Sequence, residues 1–470
     1  MSGSATVPRM GTARGRLLRA MVEAVARDGY AGASVASVIA SAGVSRAGFY
    51  QQFLNREDCF RAAYAAIAER MRRAIVEAVS SSELEERPRA MLSACVATIA
   101  AEPEAGRVLL TEVAGAPEAI RTEREALLEE LARGVERYFD ELDGGIGRQR
   151  RPALALIGGV SGVIVARLIS DEADELDRLV DDLVEWLECC TRPAIGADLD
   201  WDRLGRRIAA GVQFPPTAPA QKLLPRGFGS LGEASAAAVH QARITAATSK
   251  MTAAKGYARV TVADIVASAR VGRGVFYEHF KCKQDAVRRA QDVVLQQTMA
   301  AAAPAFFEGR DWPDRVWNVL AALLAYVALN PDEARLVVLE APAAGEAAVA
   351  REYENRMAYA RLLREDYEGE GGGWPSGTVV AEAITGAVYG LVRDRIVKGC
   401  ARRSLELLPQ STFLVLAPYV GAEAAARFVS LKARQLDGAL SPSGRPSSSA
   451  RASRASRSAS RRPRNGTTAE

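Results

Sequence analysis

Apolar residues near the start of the chain recur at helical spacing, and turn-forming residues divide them into four segments. Gly29 follows the first segment and Gly43 the second, where glycine tolerates a helix end or a sharp turn. Ser34 and Ser45 stand where they can cap the second and third helices. The predicted apolar faces are Leu17–Val25, Val35–Ala42, Phe49 with Phe53, and Phe60–Met71. Two short helices around a tight turn indicate a helix-turn-helix, whose second helix can enter the DNA major groove.

The same pattern returns in the second half of the chain. Gly29-Tyr30-Ala31 recurs as Gly256-Tyr257-Ala258, an offset of 227 residues (256 − 29). That offset also aligns, without gaps, Val35 with Val262, Val44 with Val271, Arg46 with Arg273, Phe49-Tyr50 with Phe276-Tyr277, and Phe53 with Phe280. A fainter repeat follows at an offset of 228 (331 − 103), where Pro103-Glu104 resembles Pro331-Asp332. A period of this length is a whole domain, so duplication and fusion is the simplest account.

Composition marks the boundaries between the repeated units. Prolines 215, 216, 219 and 225 prevent a long helix between the halves, although Trp201–Ala210 can form a short one. From Ser441 the chain is rich in serine and arginine, which predicts a disordered cationic tail that either binds DNA non-specifically or only solubilises the chain. The predicted division is a DNA-binding domain at 1–75, a helical body at 76–192, a linker at 193–235, a second DNA-binding domain at 236–300, a second helical body at 301–438 and the tail at 439–470.

Composition also narrows the class of function. The chain has 470 residues and a net charge of only +4, so total charge alone does not predict a nucleic-acid partner. Six cysteines without a CxxC pair and only two histidines argue against a disulfide framework, a zinc site and histidine-based catalysis. No nucleophile–base pair or phosphate-binding loop stands out, so neither an enzyme nor a cofactor is predicted. Without a signal peptide or a membrane span, a cytoplasmic protein is expected.

The two helix-turn-helix segments, Ser34–Phe53 and Thr261–Phe280, resemble the DNA-binding motif of the TetR family. The modules Arg14–Met71 and Arg243–Met299 fit that family as a whole. The resemblance implies an all-α fold of tandem TetR-like halves, each with a helix-turn-helix head and a helical body for ligand binding and dimerisation. It also implies a sequence-specific transcription regulator, with repression as the default expectation. The two predicted bodies are compatible with the family, but their sequences contain no motif that identifies it.

The resemblance further implies roles for individual side chains. Tyr50 and Tyr277 are expected to contact phosphate through their hydroxyls, and Ser34 and Thr261 match a cap residue that touches the DNA backbone. The remaining predicted DNA-binding residues are the cap Ser45, the phosphate-facing Gln52, Arg56, His279 and Lys283, and the base-reading Arg46, Ala47, Gly48, Gln51, Arg273, Gly274, Val275 and Glu278. Their chemistry agrees, because arginine pairs with guanine, glutamine with adenine, and glutamate accepts from cytosine.

The second copy departs from the family pattern at two positions. Arg270 stands where the first copy has the turn glycine, and Gly272 replaces the capping serine. A left-handed backbone at Arg270 would cost about 1 kcal/mol, whereas glycine in place of a cap costs only a few tenths. The second copy is therefore either a weaker reader of DNA, or Arg270 adds a phosphate contact that offsets the strain.

Family members dimerise through their last two helices. Here Ala153–Ser170 with Glu175–Glu188, and Val379–Val397 with Leu407–Phe428, are expected to supply the two pairs of a four-helix bundle. The two halves would then form an intrachain pseudo-dimer, although a homodimer of chains stays open.

The expected mechanism is release of operator DNA on binding a small apolar effector, whose identity the sequence does not give. The alternative is a small-molecule-binding or scaffold protein in which one or both heads no longer read DNA.

Overall fold

The computed structural model describes residues 11–142, 153–191, 200–211, 233–364 and 378–440. Regular structure within these ranges is helical, with no strand, which confirms the predicted all-α fold. The predicted cationic tail and most of the proline-rich linker lie outside the described residues.

The first half consists of a head, α1–α4, and a body, α5–α9. The head contains α1 Ala13–Gly32, α2 Val35–Ala42, α3 Arg46–Gln52 and α4 Arg56–Ser80. The body contains α5 Arg87–Ala101, α6 Pro103–Leu110, α7 Glu118–Leu142, α8 Ala153–Ile169 and α9 Val180–Thr191, with 3-10 segments at Leu84–Glu86, Glu112–Gly115 and Ala173–Leu179. Phe49 and Phe60 are fully buried, so the predicted apolar faces do form the core of the head.

The second half repeats this order after the linker helix α10, Trp201–Gly211. Its head contains α11 Glu233–Lys255, α12 Val262–Ala269, α13 Arg273–His279 and α14 Lys283–Phe307. Its body contains α15 Trp312–Leu329, α16 Pro331–Arg335, α17 Glu346–Arg364, α18 Thr378–Val397, α19 Leu408–Val420 and α20 Ala422–Leu440, with a π-helical turn at Leu336–Glu340 and 3-10 segments at Ala341–Ala344 and Ala401–Leu407.

Two of the predicted bundle helices have different bounds in the structure. The segment predicted as Glu175–Glu188 begins as a 3-10 turn, and α9 starts only at Val180, where Asp181 and Asp182 place negative charge at the helix N-terminus. The segment predicted as Leu407–Phe428 is two helices. It breaks at Gly421, whose φ of 82° is the left-handed backbone that glycine readily adopts.

The two halves meet where α8 crosses α18 with backbone against backbone. A Cβ on Gly158 would lie 2.7 Å from the carbonyl oxygen of Gly386, and a Cβ on Gly386 would lie 2.6 Å from that of Gly158. Gly162 faces the same stretch, since its Cβ would lie 3.0 Å from the Cα of Gly386. The four glycines 158, 162, 386 and 390 repeat at an offset of 228 (386 − 158 and 390 − 162), so the crossing is pseudo-symmetric. Only glycine permits this approach.

The linker helix α10 packs on the second body, although it follows the first. Leu204 and Ile208 are buried in the common core, and the Trp201 ring lies 5.3 Å from that of Phe413 in α19. Gly205 sits so close to the second body that a Cβ there would lie 2.0 Å from the carbonyl oxygen of Glu406. The short helix expected within the linker is therefore present, and it fastens the linker to the second half.

Gly386→Ala should destabilise the chain by about 1–3 kcal/mol, because the added methyl has a backbone carbonyl in its way and cannot be accommodated by a rotamer change. Urea unfolding measures the effect. The control is Gly134→Ala in α7, where the nearest atom to a new Cβ is the end of the Arg137 side chain at 3.9 Å. That change should be neutral or stabilising by up to about 1 kcal/mol. Equal effects of the two substitutions would contradict the close crossing.

Candidate DNA-binding surface

In the first head, local hydrogen bonds fix a short helix with one face in the core and the other in solvent. The Ser34 hydroxyl accepts from the Ser37 amide at 3.0 Å and caps α2, and Ser45 accepts from the Gly48 amide at 3.0 Å and caps α3. Gly43 makes the turn between them with φ 60°, in the left-handed region. The turn and both caps predicted from the sequence are therefore present.

One face of α3 is available to DNA. The predicted base-reading residues Arg46, Ala47 and Gln51 are exposed and Gly48 is half-buried. Tyr50 is exposed, and its ring packs edge-to-face with the ring of the buried Phe49, with 5.3 Å between the ring centres. Gln52 and Arg56 are half-buried. The short helix therefore exposes an arginine and a tyrosine on one face, while a phenylalanine anchors its opposite face in the core. This arrangement suits insertion of the helix into a DNA groove.

The second head presents the same face on α13. Arg273, Gly274, Tyr277 and Glu278 are exposed and Val275 is half-buried. Tyr50 and Tyr277 are equally exposed, at 48%, so the two heads offer their predicted phosphate-contacting hydroxyls alike. The guanidinium of Arg273 lies 5.7 Å from the Tyr277 ring centre.

The departures of the second head have the predicted structural consequence. Arg270 has φ 54° and ψ 47°, in the left-handed conformation that Gly43 adopts in the first head. Gly272 gives α13 no side-chain cap. Other contacts of this turn are shared with the first head: Thr261 and Asp264 form a capping box as Ser34 and Ser37 do. Arg243 donates to the carbonyl oxygen of Arg270 at 3.1 Å, as its counterpart Arg16 donates to that of Ala42. The second head therefore keeps its fold at the cost of a strained turn.

Two of the predicted phosphate-binding cations are engaged inside the heads. Arg56 donates to the carbonyl oxygen of Ala33 at 2.8 Å, and its guanidinium lies 4.4 Å from the Tyr30 ring centre. Lys283, at the same place in the second head, donates to the carbonyl oxygen of Tyr257 at 2.8 Å. Both fasten the loop between the first two helices to the fourth, which the sequence pattern did not indicate. Their phosphate contacts stay predictions.

The structure also adds neighbours that motif reading did not single out. Arg14 donates to the carbonyl oxygen of Gln52 at 3.1 Å and lies over the Phe53 ring, so a cation of α1 reaches the end of α3. In the second head the two histidines of the chain are close, with 6.3 Å between the ring centres of His240 and His279. Both contacts join helices far apart in sequence, and the motif therefore carries no signal for them.

A buried glutamate joins the second head to both bodies. Glu340 is 1% exposed and accepts the backbone N–H of Tyr257 at 3.0 Å, at the end of α11. Its charge is met by Arg335 at 3.4 Å and by Arg121 of the first half at 3.5 Å. The carboxylate is therefore paired on two sides and holds the head against the body.

Its counterpart in the first half, Glu112, is less well paired. A Cβ on Gly29, at the corresponding helix end, would lie 3.4 Å from its Oε2. Burial, and then the negative charge of Glu346, raise the pKa of Glu112 to about 7, against the opposing effect of Arg107. The two head–body junctions therefore differ in electrostatics, although in both a glutamate lies beside the corresponding glycine, Gly29 or Gly256.

Within the described ranges, no group of three or more histidine, cysteine, aspartate or glutamate side chains could hold a metal ion. Among the same residues, no helix is both long and apolar enough to cross a membrane.

Comparison with known proteins identifies the heads. The family of bacterial regulatory proteins called tetR matches residues 17–63 and 244–290. Both stretches run from α1 or α11 through the helix-turn-helix into α4 or α14. The chain therefore carries two tandem DNA-binding modules of the TetR family, which makes it a DNA-binding transcription regulator, as the sequence predicted.

Solved structures similar to this chain include three bacterial regulators. The fatty acid degradation regulator FadR of Bacillus halodurans is 19% identical, with a TM-score of 0.35 over 39% of this chain and 99% of its own. A TetR-family regulator of Bordetella parapertussis is 17% identical, with a TM-score of 0.34 over 39% and 97%. FadR of Bacillus subtilis, in complex with stearoyl-CoA, is 17% identical, with a TM-score of 0.33 over 37% and 96%. No curated protein matches the chain.

Arg270→Gly should stabilise the second head by about 1 kcal/mol, because glycine adopts the left-handed backbone without strain. Hydrogen exchange of the α12 and α13 amides measures this directly. The matched control is Gly43→Ala, which should destabilise the first head by a similar amount, since nothing lies within 4 Å of a Cβ there and only the backbone is strained. If Arg270 also binds phosphate, operator affinity will fall while protection rises. Unchanged protection would contradict the assignment of strain.

Glu112→Gln should stabilise the chain at pH 8 by roughly 1–2 kcal/mol and leave it unchanged at pH 5. The folded-state pKa of this acid is raised, so its contribution is fully present below its unfolded value and is lost as pH rises through about 7. Urea unfolding at the two pH values measures this. As a control, Glu340→Gln should destabilise the chain at pH 8, since it leaves Arg121 and Arg335 without their partner. Parallel pH profiles for wild type and Glu112→Gln would contradict the account.

Proposed function

We propose that this chain is a single-chain repressor, in which the two halves pair as the two subunits of a TetR-family dimer would. The observation that carries the proposal is the glycine crossing of α8 and α18, flanked by contacts of α9 with both α18 and α19. These are the helices expected to form the four-helix bundle. Each head would precede its own body, with the domain bounds predicted from the sequence.

The two heads would read unlike half-sites of one operator. Their spacing would be about one DNA turn, roughly 34–36 Å. Arg46 matches Arg273, but Ala47, Gly48 and Gln51 differ in chemistry from their counterparts Gly274, Val275 and Glu278, so the operator should be an imperfect palindrome. Tyr50 and Tyr277 would anchor each head on phosphate, which positions it without reading sequence.

A small apolar effector would release the operator by binding a body and favouring another head spacing. An open groove of about 300 Å³ between α4 and α7 of the first half is the candidate site for this effector. Its apolar lining includes Tyr64, Ala68 and Leu127, with charged residues such as Glu69 and Arg72 beside them. The Tyr64 hydroxyl is buried and has no hydrogen-bond partner among the described residues, so a ligand polar group could satisfy it.

A second candidate is favoured by the strained turn at Arg270 and the missing cap at Gly272. In that case the second head would serve as scaffold or ligand-binding module, and DNA would be bound by the first head alone. The two candidates differ in which residues carry operator affinity.

The test uses duplex DNA selected from a random pool by the purified chain at physiological salt. Arg46→Ala with Tyr50→Ala, and separately Arg273→Ala with Tyr277→Ala, should each weaken binding to the selected site by at least about 100-fold, since a guanine contact alone is worth 1–3 kcal/mol. The first pair should relax selection in one half-site and the second pair in the other. If only the first pair has an effect, the scaffold candidate is correct for the second head. If neither has, the single-chain repressor proposal fails.

A further inference from the structure

A partly buried, bidentate ion pair joins the two halves at their interface. Arg393 of α18 donates to the carboxylate of Glu125 of α7 with both terminal nitrogens, at 2.8 and 2.5 Å. The side chains are 16% and 25% exposed. Burial alone would raise the pKa of Glu125, but the hydrogen bond and charge of Arg393 hold it below its usual range. The pair is therefore a strong, directional contact between the halves.

The pseudo-symmetry that relates the interface glycines shows that this pair has no twin. At the offset of 228, Glu125 corresponds to Tyr353, and Arg393 corresponds to Val165. If two first halves paired with each other, Glu125 would face Val165. If two second halves paired, Arg393 would face Tyr353. Only a first half against a second half brings the carboxylate and the guanidinium together.

A second inter-half pair discriminates in one direction. Arg167 of α8 donates to Glu382 of α18 at 3.1 Å, and Glu382 is 1% exposed. The corresponding positions are Arg395 and Leu154, so two first halves would leave Arg167 against Leu154. Two second halves could still pair Arg395 with Glu382. This contact therefore disfavours only one of the two wrong pairings.

A third inter-half pair does not discriminate at all. Arg107 lies 3.3 Å from Glu346, and the corresponding positions, Arg335 and Glu118, carry the same charges. Any combination of halves would satisfy it. It is therefore a natural control for the effect of charge reversal at this interface.

We propose that Glu125 and Arg393 select the partner of each half: they direct the first half to the second half of a TetR-type bundle and exclude pairing of like halves from two chains. The proposal rests on the single-chain function above. Its physical basis is the cost of a partly buried charge that loses its bidentate hydrogen bond, which sets a wrong pairing apart from the right one. In a wrong pairing Glu125 would keep only the more distant Arg124 of its own half, at 3.6 Å. The glycine crossing allows any two halves to pack together, whereas the ion pair determines which halves do so.

The test uses full-length chains with Glu125→Arg, Arg393→Glu, or both. Glu125→Arg places a third arginine beside Arg393 and Arg124, and Arg393→Glu sets two carboxylates together. Each single variant should lose at least about 5 °C of Tm, and the double variant should recover most of it. Light scattering should find wild type and double variant at the mass of one chain, 50.2 kDa.

The decisive sample is an equimolar mixture of the two single variants, unfolded in urea and refolded together. The arginine introduced in the first half of the Glu125→Arg chain can pair with the glutamate introduced in the second half of the Arg393→Glu chain. The two unchanged halves of the mixture carry the native Glu125 and Arg393, which can also pair. The mixture should therefore give a species of two chains with a Tm near that of wild type. The double reversal Arg107→Glu with Glu346→Arg should leave mass and Tm unchanged within about 2 °C.

The possible outcomes separate this inference from the proposed function. If wild type itself has the mass of two chains, the single-chain function fails. If wild type has the mass of one chain, but single reversals keep its Tm or the mixture gives no two-chain species, the partner selection is overturned and the function stands. Single variants that do not fold alone but refold as a mixture would support the selection.

Discussion

The contact on which the rest of the structure depends is the crossing of α8 and α18 through glycines. Because Gly158 and Gly386 bring backbone against backbone, the two bodies share one continuous hydrophobic core that runs through both halves. The pairing of the halves, and with it the relative placement of the two heads, depends on this close contact between the two helices. Dispersion contacts at such close range are individually weak, but they extend along two long helices.

Fusion of two similar halves changes what the interface has to do. In a dimer of identical chains, both sides of a contact carry the same residues, so every pair occurs twice. Here Glu125 meets Arg393 once, because the corresponding positions have become Tyr353 and Val165. The heads have diverged in the same way, with a strained arginine turn in one and a glycine turn in the other. A dimer of identical chains cannot have unlike residues at corresponding positions, whereas a chain that holds both halves can.

The sequence predicted the heads well, since their fold is local. Ser34, Gly43 and Ser45 shape the backbone within a few residues of their own positions, so their spacing predicts the two caps and the turn. The strain at Arg270 follows from comparison of the two copies. The bodies were predicted less well. The break at Gly421 falls inside a segment that the sequence predicts as one helix. The engagement of Arg56 with backbone carbonyls, and the Glu125–Arg393 pair, join positions 23 and 268 residues apart, for which no local pattern exists.

The most direct test of the account is the number of protein chains on one operator. Native mass spectrometry of the chain with a selected two-box duplex measures it without assumptions about shape. We expect one chain of 50.2 kDa per duplex, with both boxes occupied, as footprinting of the same complex would show. Two chains per duplex, each protecting one box, would contradict it, because the halves would then be pairing between chains.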